Sequence, residues 1–211
     1  LKGMFVGHTA PKVKKIFAEN DIIFIDEAYS LCSASNGEMD TYSQEAIAQL
    51  IIELEAHGMD RLVLFAGYGG KNVSEKDNKM NEFLKSNPGI RSRINSTIFF
   101  DSYTAEQMVE IFYRQADMAG YKADRKAAED IKNYFATRIN DRDFGNGREA
   151  RSLLENATVF VAKRLAGIDE DKLTRKMLVE IKSEDIRNAI KKTKEMHNMQ
   201  QVHVGNYGFT V

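Results

Sequence analysis

The sequence predicts an α/β chain in two parts, a parallel sheet with flanking helices followed by a helical bundle. Three observations carry this expectation. Short β-branched apolar runs alternate with helix-period segments as far as about Tyr103. Such alternation is the pattern of strands joined by helical crossovers. Beyond Thr104 the apolar residues recur almost only at helical spacing. Of the 211 residues, 43% are hydrophobic and 29% charged, so the chain has the composition of a packed globular protein.

In chain order, Lys12 to Glu19 reads as a helix with Pro11 near its first turn, where a missing N–H costs nothing. Ile22-Ile23-Phe24-Ile25 is too short for a helix and reads as a buried parallel strand. Ile47, Leu50, Ile51 and Leu54 fall on one face of a 3.6-residue period. Leu62-Val63-Leu64-Phe65-Ala66, closed by Gly67, is a second strand, and Ser96-Thr97-Ile98-Phe99-Phe100 a third. Thr104 and Gln107 then have capping-box spacing. Four apolar stripes follow: Met108, Ile111 and Phe112; Ile131, Tyr134, Phe135 and Ile139; Ala150 through Leu165; and Ile186, Ala189 and Ile190 after Ser183. Four helices of this kind make a small bundle. The domains expected are therefore 1–103, α/β; 104–194, helical; and 195–211, a polar, loosely attached tail.

Composition narrows function. The net charge is -1 with acids and bases interspersed, so no dedicated nucleic-acid surface is expected. No apolar run approaches the roughly 20 residues of a membrane helix. Cys32 is the single cysteine, so no internal disulfide can form. A cytoplasmic protein is expected, with Cys32 either a small packing residue or a reactive thiol.

The strongest chemical signal is Asp26-Glu27 at the end of the first strand. Ligands of open α/β sheets bind beyond the carboxyl ends of their strands. In phosphoryl transfer a first acid there holds Mg²⁺ and a second polarises the attacking water. A strand running into a solvated loop gives the same four apolar residues and two acids without function.

Five segments in order resemble the CbxX/CfqX family of AAA+ ATPases, which includes red-type Rubisco activases and relatives of stage V sporulation protein K. They are Phe5-Val6-Gly7-His8-Thr9-Ala10-Pro11-Lys12, Asp26-Glu27-Ala28-Tyr29-Ser30-Leu31, Leu62 to Tyr68, Asn87-Pro88-Gly89-Ile90-Arg91-Ser92-Arg93-Ile94, and Gly145-Asn146-Gly147-Arg148-Glu149-Ala150-Arg151. The resemblance covers roughly residues 1 to 165. It implies a partial P-loop NTPase sheet with a helical lid, ATP and Mg²⁺ as ligands, with Asp26 as the metal residue, and a ring, expected to be hexameric, acting on a protein substrate. Asp26 and Glu27 become the Walker B pair. Phe5, Val6 and Gly7 become a pore loop that grips polypeptide; by sequence alone Phe5 also reads as a core residue. The stretch from Ser33 to Asp40 is either a second channel loop or a connector. Tyr68 stands at sensor 1, to offer its hydroxyl or simply to pack. Arg91 or Arg93, with Arg93 preferred, becomes the arginine finger that reaches a neighbouring subunit. Arg148, with Arg151 as alternate, becomes sensor 2.

No Gly-x-x-x-x-Gly-Lys-Ser/Thr occurs in the 211 residues. In the family that loop follows a central strand upstream of the pore loop. The sequence starts at Leu1, inside the motif, and is expected to be a fragment with unpaired sheet edges and little ATP affinity of its own. The alternative reading is a non-hydrolysing AAA+-fold scaffold. A DNA-linked module of the clamp-loader kind is disfavoured by the near-neutral charge.

Overall fold

The computed structural model describes residues 9–32, 34–35, 38–58, 60–69, 78–141 and 144–205. They fall into two compact units, 1–101 and 102–211.

In the first unit the order is α1 (Thr9–Glu19), β1 (Ile22–Ile25), a 3₁₀ turn (Ala28–Cys32), β2 (Ala34–Ser35), β3 (Glu38–Met39), α2 (Thr41–His57), β4 (Leu62–Phe65), α3 (Lys79–Ser86) and α4 (Pro88–Arg91). β1 and β4 run parallel in the register Ile22↔Leu62 to Ile25↔Phe65. Ile23 and Ile25 of β1 point into a core built with Val13 and Phe17 of α1, Ala46, Ile47, Leu50 and Leu54 of α2, and Phe83 of α3. Strand periodicity sends Ile22, Phe24, Leu62 and Leu64 to the opposite face, where all four are exposed. α2 starts where Asp40 accepts the Ser43 N–H at 2.8 Å, a side-chain N-cap.

The expected third strand is not formed. Residues 96–100 carry no strand, and Ile98, Phe99 and Phe100 are exposed, Phe100 to 93%. β-branched and aromatic composition makes a strand only where a neighbour accepts its hydrogen-bond ladder. Among the described residues no strand pairs with this run; β1 and β4 pair only with each other.

The second unit contains α5 (Ala105–Met118), β5 (Lys122–Ala123), α6 (Ala128–Ala136), α7 (Gly147–Leu165), α8 (Arg175–Val179), β6 (Glu180–Ile181) and α9 (Ser183–Gly205). The capping box at Thr104 and Gln107 is made in both directions, Gln107 N–H to Thr104 Oγ1 at 3.3 Å and Thr104 N–H to Gln107 Oε1 at 2.9 Å. The four stripes meet in one core, with Met108, Phe112, Ile131, Tyr134, Phe135, Leu153 and Ile186 fully enclosed. α7 is bound to α9 by Arg164, whose Nε and Nη2 both reach the Asp185 carboxylate, while Nη2 also donates to the Glu180 carbonyl at 3.0 Å.

Two features depart from expectation. β5 and β6 form a small parallel pair, Lys122↔Glu180 and Ala123↔Ile181, which no run of apolar residues announces. The polar segment from 195 is not a loose tail at its start: α9 continues through it to Gly205. His197 of that segment returns to the core, its Nε2 lying 3.1 Å from Glu149 Oε1.

Candidate functional site

β1 delivers Asp26 and Glu27 to its carboxyl end, and both are exposed. Two backbone bonds lock this end to that of β4: the Ala66 N–H donates to the Ile25 carbonyl at 2.8 Å, and the Ala28 N–H to the Ala66 carbonyl at 2.9 Å. The acidic pair and Gly67-Tyr68 therefore sit side by side on one rim of the sheet, the side on which open α/β sheets bind ligands. Asp26 Oδ1 accepts the Glu27 N–H at 3.0 Å. Among the described residues neither carboxylate enters an ion pair.

Glu27 has φ 48°. A left-handed conformation is uncommon outside glycine and asparagine, and strain of this kind gathers at functional positions. It turns the chain at the end of β1. Gly67 packs closely against the side chains of Met80 and Tyr29. A Cβ there would stand 2.6 Å from Met80 Sδ and 3.0 Å from Tyr29 Cδ1. Tyr68 is 45% exposed, and its carbonyl accepts the Met80 N–H at 3.1 Å. Its side chain takes no part in the core of the first unit.

The two candidate finger arginines are held differently. Arg93 is engaged within its own unit, Nη2 with Glu55 Oε2 of α2 at 2.8 Å and Nη1 with the Gly89 carbonyl at 2.8 Å. Arg91, at the end of α4, is exposed, and among the described residues its side chain makes no hydrogen bond or ion pair. Arg93, the arginine preferred from the sequence, is the one that makes these contacts. Its partner Glu55 was not singled out in the sequence, because nothing local links positions 38 residues apart.

In the second unit Arg148 and Arg151 are exposed in the first turns of α7. The backbone before them is fixed: Asn146 has φ 49° and accepts the Tyr103 N–H at 3.0 Å, and Gln115 Nε2 donates to the Gly147 carbonyl at 3.1 Å. Between the two arginines, Glu149 turns inward and accepts the Tyr134 hydroxyl at 2.6 Å. Burial, and then that carboxylate, hold the Tyr134 phenol above its ordinary pKa of 10.0. Arg138 Nε lies 3.5 Å from the same carboxylate. One side of the turn is thus bolted into the core while its neighbouring cations face outward. Phe5, Val6 and Gly7, with most of the stretch from Ser33 to Asp40, lie outside the described residues and side chains.

Hard cations such as Mg²⁺ are commonly held by one or two carboxylates together with phosphate oxygens. A single exposed aspartate at the strand end fits that use. No cluster of three His, Cys, Asp or Glu residues exists among the described residues to hold a metal by protein ligands alone.

Comparison with known proteins gives the class. Residues 1–100 match the model of the ATPase family associated with various cellular activities (AAA). Residues 104–196 match the AAA lid domain. The chain belongs to the AAA ATPase family, as a mixed α/β part followed by its helical lid. More particularly, it is 37% identical over 188 residues to a CfxQ homolog of Galdieria sulphuraria, covering 88% of this chain and 58% of that protein. It is 36% identical to the chloroplastic ribulose bisphosphate carboxylase/oxygenase activase of Cyanidioschyzon merolae, covering 88% of this chain and 61% of that one. The chain thus spans about three fifths of the length of these relatives. The crystal structure of the FIGL-1 AAA domain in complex with ADP shares the fold, with a TM-score of 0.57 at 18% identity over 91% of this chain and 59% of that chain.

Proposed function

We propose that this chain is the hydrolytic part of an ATP-driven motor that assembles as a ring, with six subunits, and remodels a protein substrate. The observation that carries the reading is the exposed Asp26-Glu27 pair at the carboxyl end of a parallel strand, beside Gly67-Tyr68, with Glu27 held at positive φ.

When bound, Mg·ATP supplies the phosphoryl group and the cation that neutralises its charge. Asp26 would hold that cation. Glu27 orients the attacking water and takes up its proton. Tyr68 offers a hydroxyl at the same rim. An arginine of the adjacent subunit meets the charge that develops on the phosphoryl oxygens, for which a permanently charged, forked guanidinium is suited. Arg91 is the better candidate of the two, because among the described residues its side chain makes no hydrogen bond or ion pair, whereas that of Arg93 bonds Glu55 and the Gly89 carbonyl. Arg148, or Arg151 one turn on, reports the nucleotide to the lid. The aromatic Phe5, with Val6 and Gly7, grips polypeptide in the central channel. The names of relatives such as the Rubisco activase support a protein substrate.

The experiment is a substitution in an ATPase that joins this chain to a phosphate-binding loop. Glu27→Gln should lower steady-state turnover by at least about a hundredfold while leaving nucleotide binding and assembly size intact, since it removes a group used only in the chemical step. Turnover at the unsubstituted rate would refute the assignment.

A further inference from the structure

We infer that His197 is a positioning residue: bonded to Glu149, it ties the polar part of α9 to the first turn of α7 and so sets how Arg148 and Arg151 leave the lid surface. The inference rests on the functional reading above, which gives those arginines the nucleotide. Of residues 194–199, all but one are exposed, and the exception is His197. Its place on the helix explains this. Asp185, Ala189, Thr193 and His197 recur every four residues, on one face of α9. The first three are buried. Three of the four bond α7, in antiparallel order. Arg164 Nη2 donates to Asp185 Oδ2 at 2.9 Å, Asn156 Nδ2 to Thr193 Oγ1 at 3.1 Å, and His197 Nε2 to Glu149 Oε1 at 3.1 Å. A carboxylate oxygen only accepts, so Nε2 carries the ring proton. The last of these bonds falls between the two arginines.

The same Oε1 accepts the Tyr134 hydroxyl at 2.6 Å, and Arg138 Nε lies 3.5 Å from it. Glu149, Tyr134 and Arg138 are all buried. Groups from α6, from the turn after it and from α9 thus converge on one oxygen of α7. A buried charged cluster adds little to stability over an apolar replacement, but its hydrogen bonds admit few arrangements. Glu149 is next to Arg148 and two residues before Arg151. Fixing its direction about the helix axis fixes theirs. Tyr134 belongs to the lid core, whereas His197 stands outside it. Removing the imidazole therefore loosens the turn and leaves the core in place.

The test has two arms. On this chain, amide hydrogen exchange reads the turn itself. His197→Ala should speed exchange at Glu149 and Ala150 by about tenfold, with the melting temperature nearly unchanged. On the ATPase that joins this chain to a phosphate-binding loop, the same variant should raise KM for ATP about tenfold, with a smaller effect on kcat. His197→Gln, whose amide nitrogen can make the same bond, should retain both the slow exchange and the KM. With Arg148→Ala and Arg151→Ala already in place, His197→Ala should change KM by less than about twofold further. The inference is overturned if His197→Ala leaves exchange at the turn or KM unchanged. It is overturned if the variant raises KM as much without the two arginines as with them, or if His197→Gln loses as much as His197→Ala. Faster exchange throughout the lid would make His197 a support of the core and would overturn it as well. Failure of the underlying functional reading looks different: Arg148→Ala with Arg151→Ala would keep the unsubstituted KM, while exchange at the turn still responds to His197→Ala.

Discussion

Glu27 is a costly residue at its position. With φ 48°, a side chain other than glycine or asparagine carries strain of about 1 kcal/mol or more. Removing that side chain for asparagine, which tolerates the left-handed region, should raise the stability of the first unit by roughly 0.5–1 kcal/mol while ending hydrolysis. Thermal denaturation of Glu27→Asn checks this; a lower melting temperature would mean that the glutamate side chain stabilises its turn. In the lid, Tyr134 couples stability to pH. Its phenol is raised by burial and by Glu149 above the ordinary 10.0. A group whose folded pKa is raised contributes stability that is fully present below the unfolded value and lost as pH rises through the folded one. The lid should therefore hold constant stability up to about pH 10 and weaken above it. Tyr134→Phe should reduce this alkaline dependence, as followed by circular dichroism in urea, and leave the part owed to Tyr113, whose phenol burial pushes up to about 12.

At the scale of elements, the helices follow from periodicity and caps. Leu153 sits on the α7 stripe and is fully buried, so Leu153→Ala should cost about 2–5 kcal/mol in denaturant unfolding of the lid. Thr104→Ala, which opens the capping box of α5, should cost about 1 kcal/mol. These elements were legible because their signals are local: an apolar residue every three or four positions, and a threonine three residues before a glutamine. The same holds for Asp26-Glu27 and Gly67-Tyr68, each marked by the end of a β-branched run. What was illegible depends on distant partners. The run at 96–100 has strand composition but no adjacent strand among the described residues. The β5–β6 pair joins two residues to two others far along the chain. Polarity after 194 suggested a tail, although one histidine, His197, reaches a buried carboxylate and α9 continues. The ion pair of Arg93 with Glu55 likewise becomes visible only once α4 lies on α2.

The whole molecule comprises two units with separate cores, one carrying the acidic rim and the other the lid arginines. Its 211 residues contain no Gly-x-x-x-x-Gly-Lys-Ser/Thr string, and loops of that sequence supply the backbone N–H groups that cradle phosphates. Calorimetric titration of this chain by itself with Mg·ATP should accordingly show no micromolar affinity, and such affinity would mean that other residues bind the phosphates. The central claim is that one site is shared: acids from one subunit, an arginine from the next. Mixing two inactive forms of the complete ATPase tests it most directly, one carrying Glu27→Gln and the other Arg91→Ala. If the site is shared, mixed assemblies contain interfaces that combine an intact Glu27 with an intact Arg91, and phosphate release returns on mixing. If turnover stays at the level of the separate variants although the two co-assemble, the acids and the arginine do not complete one another across an interface, and the account fails.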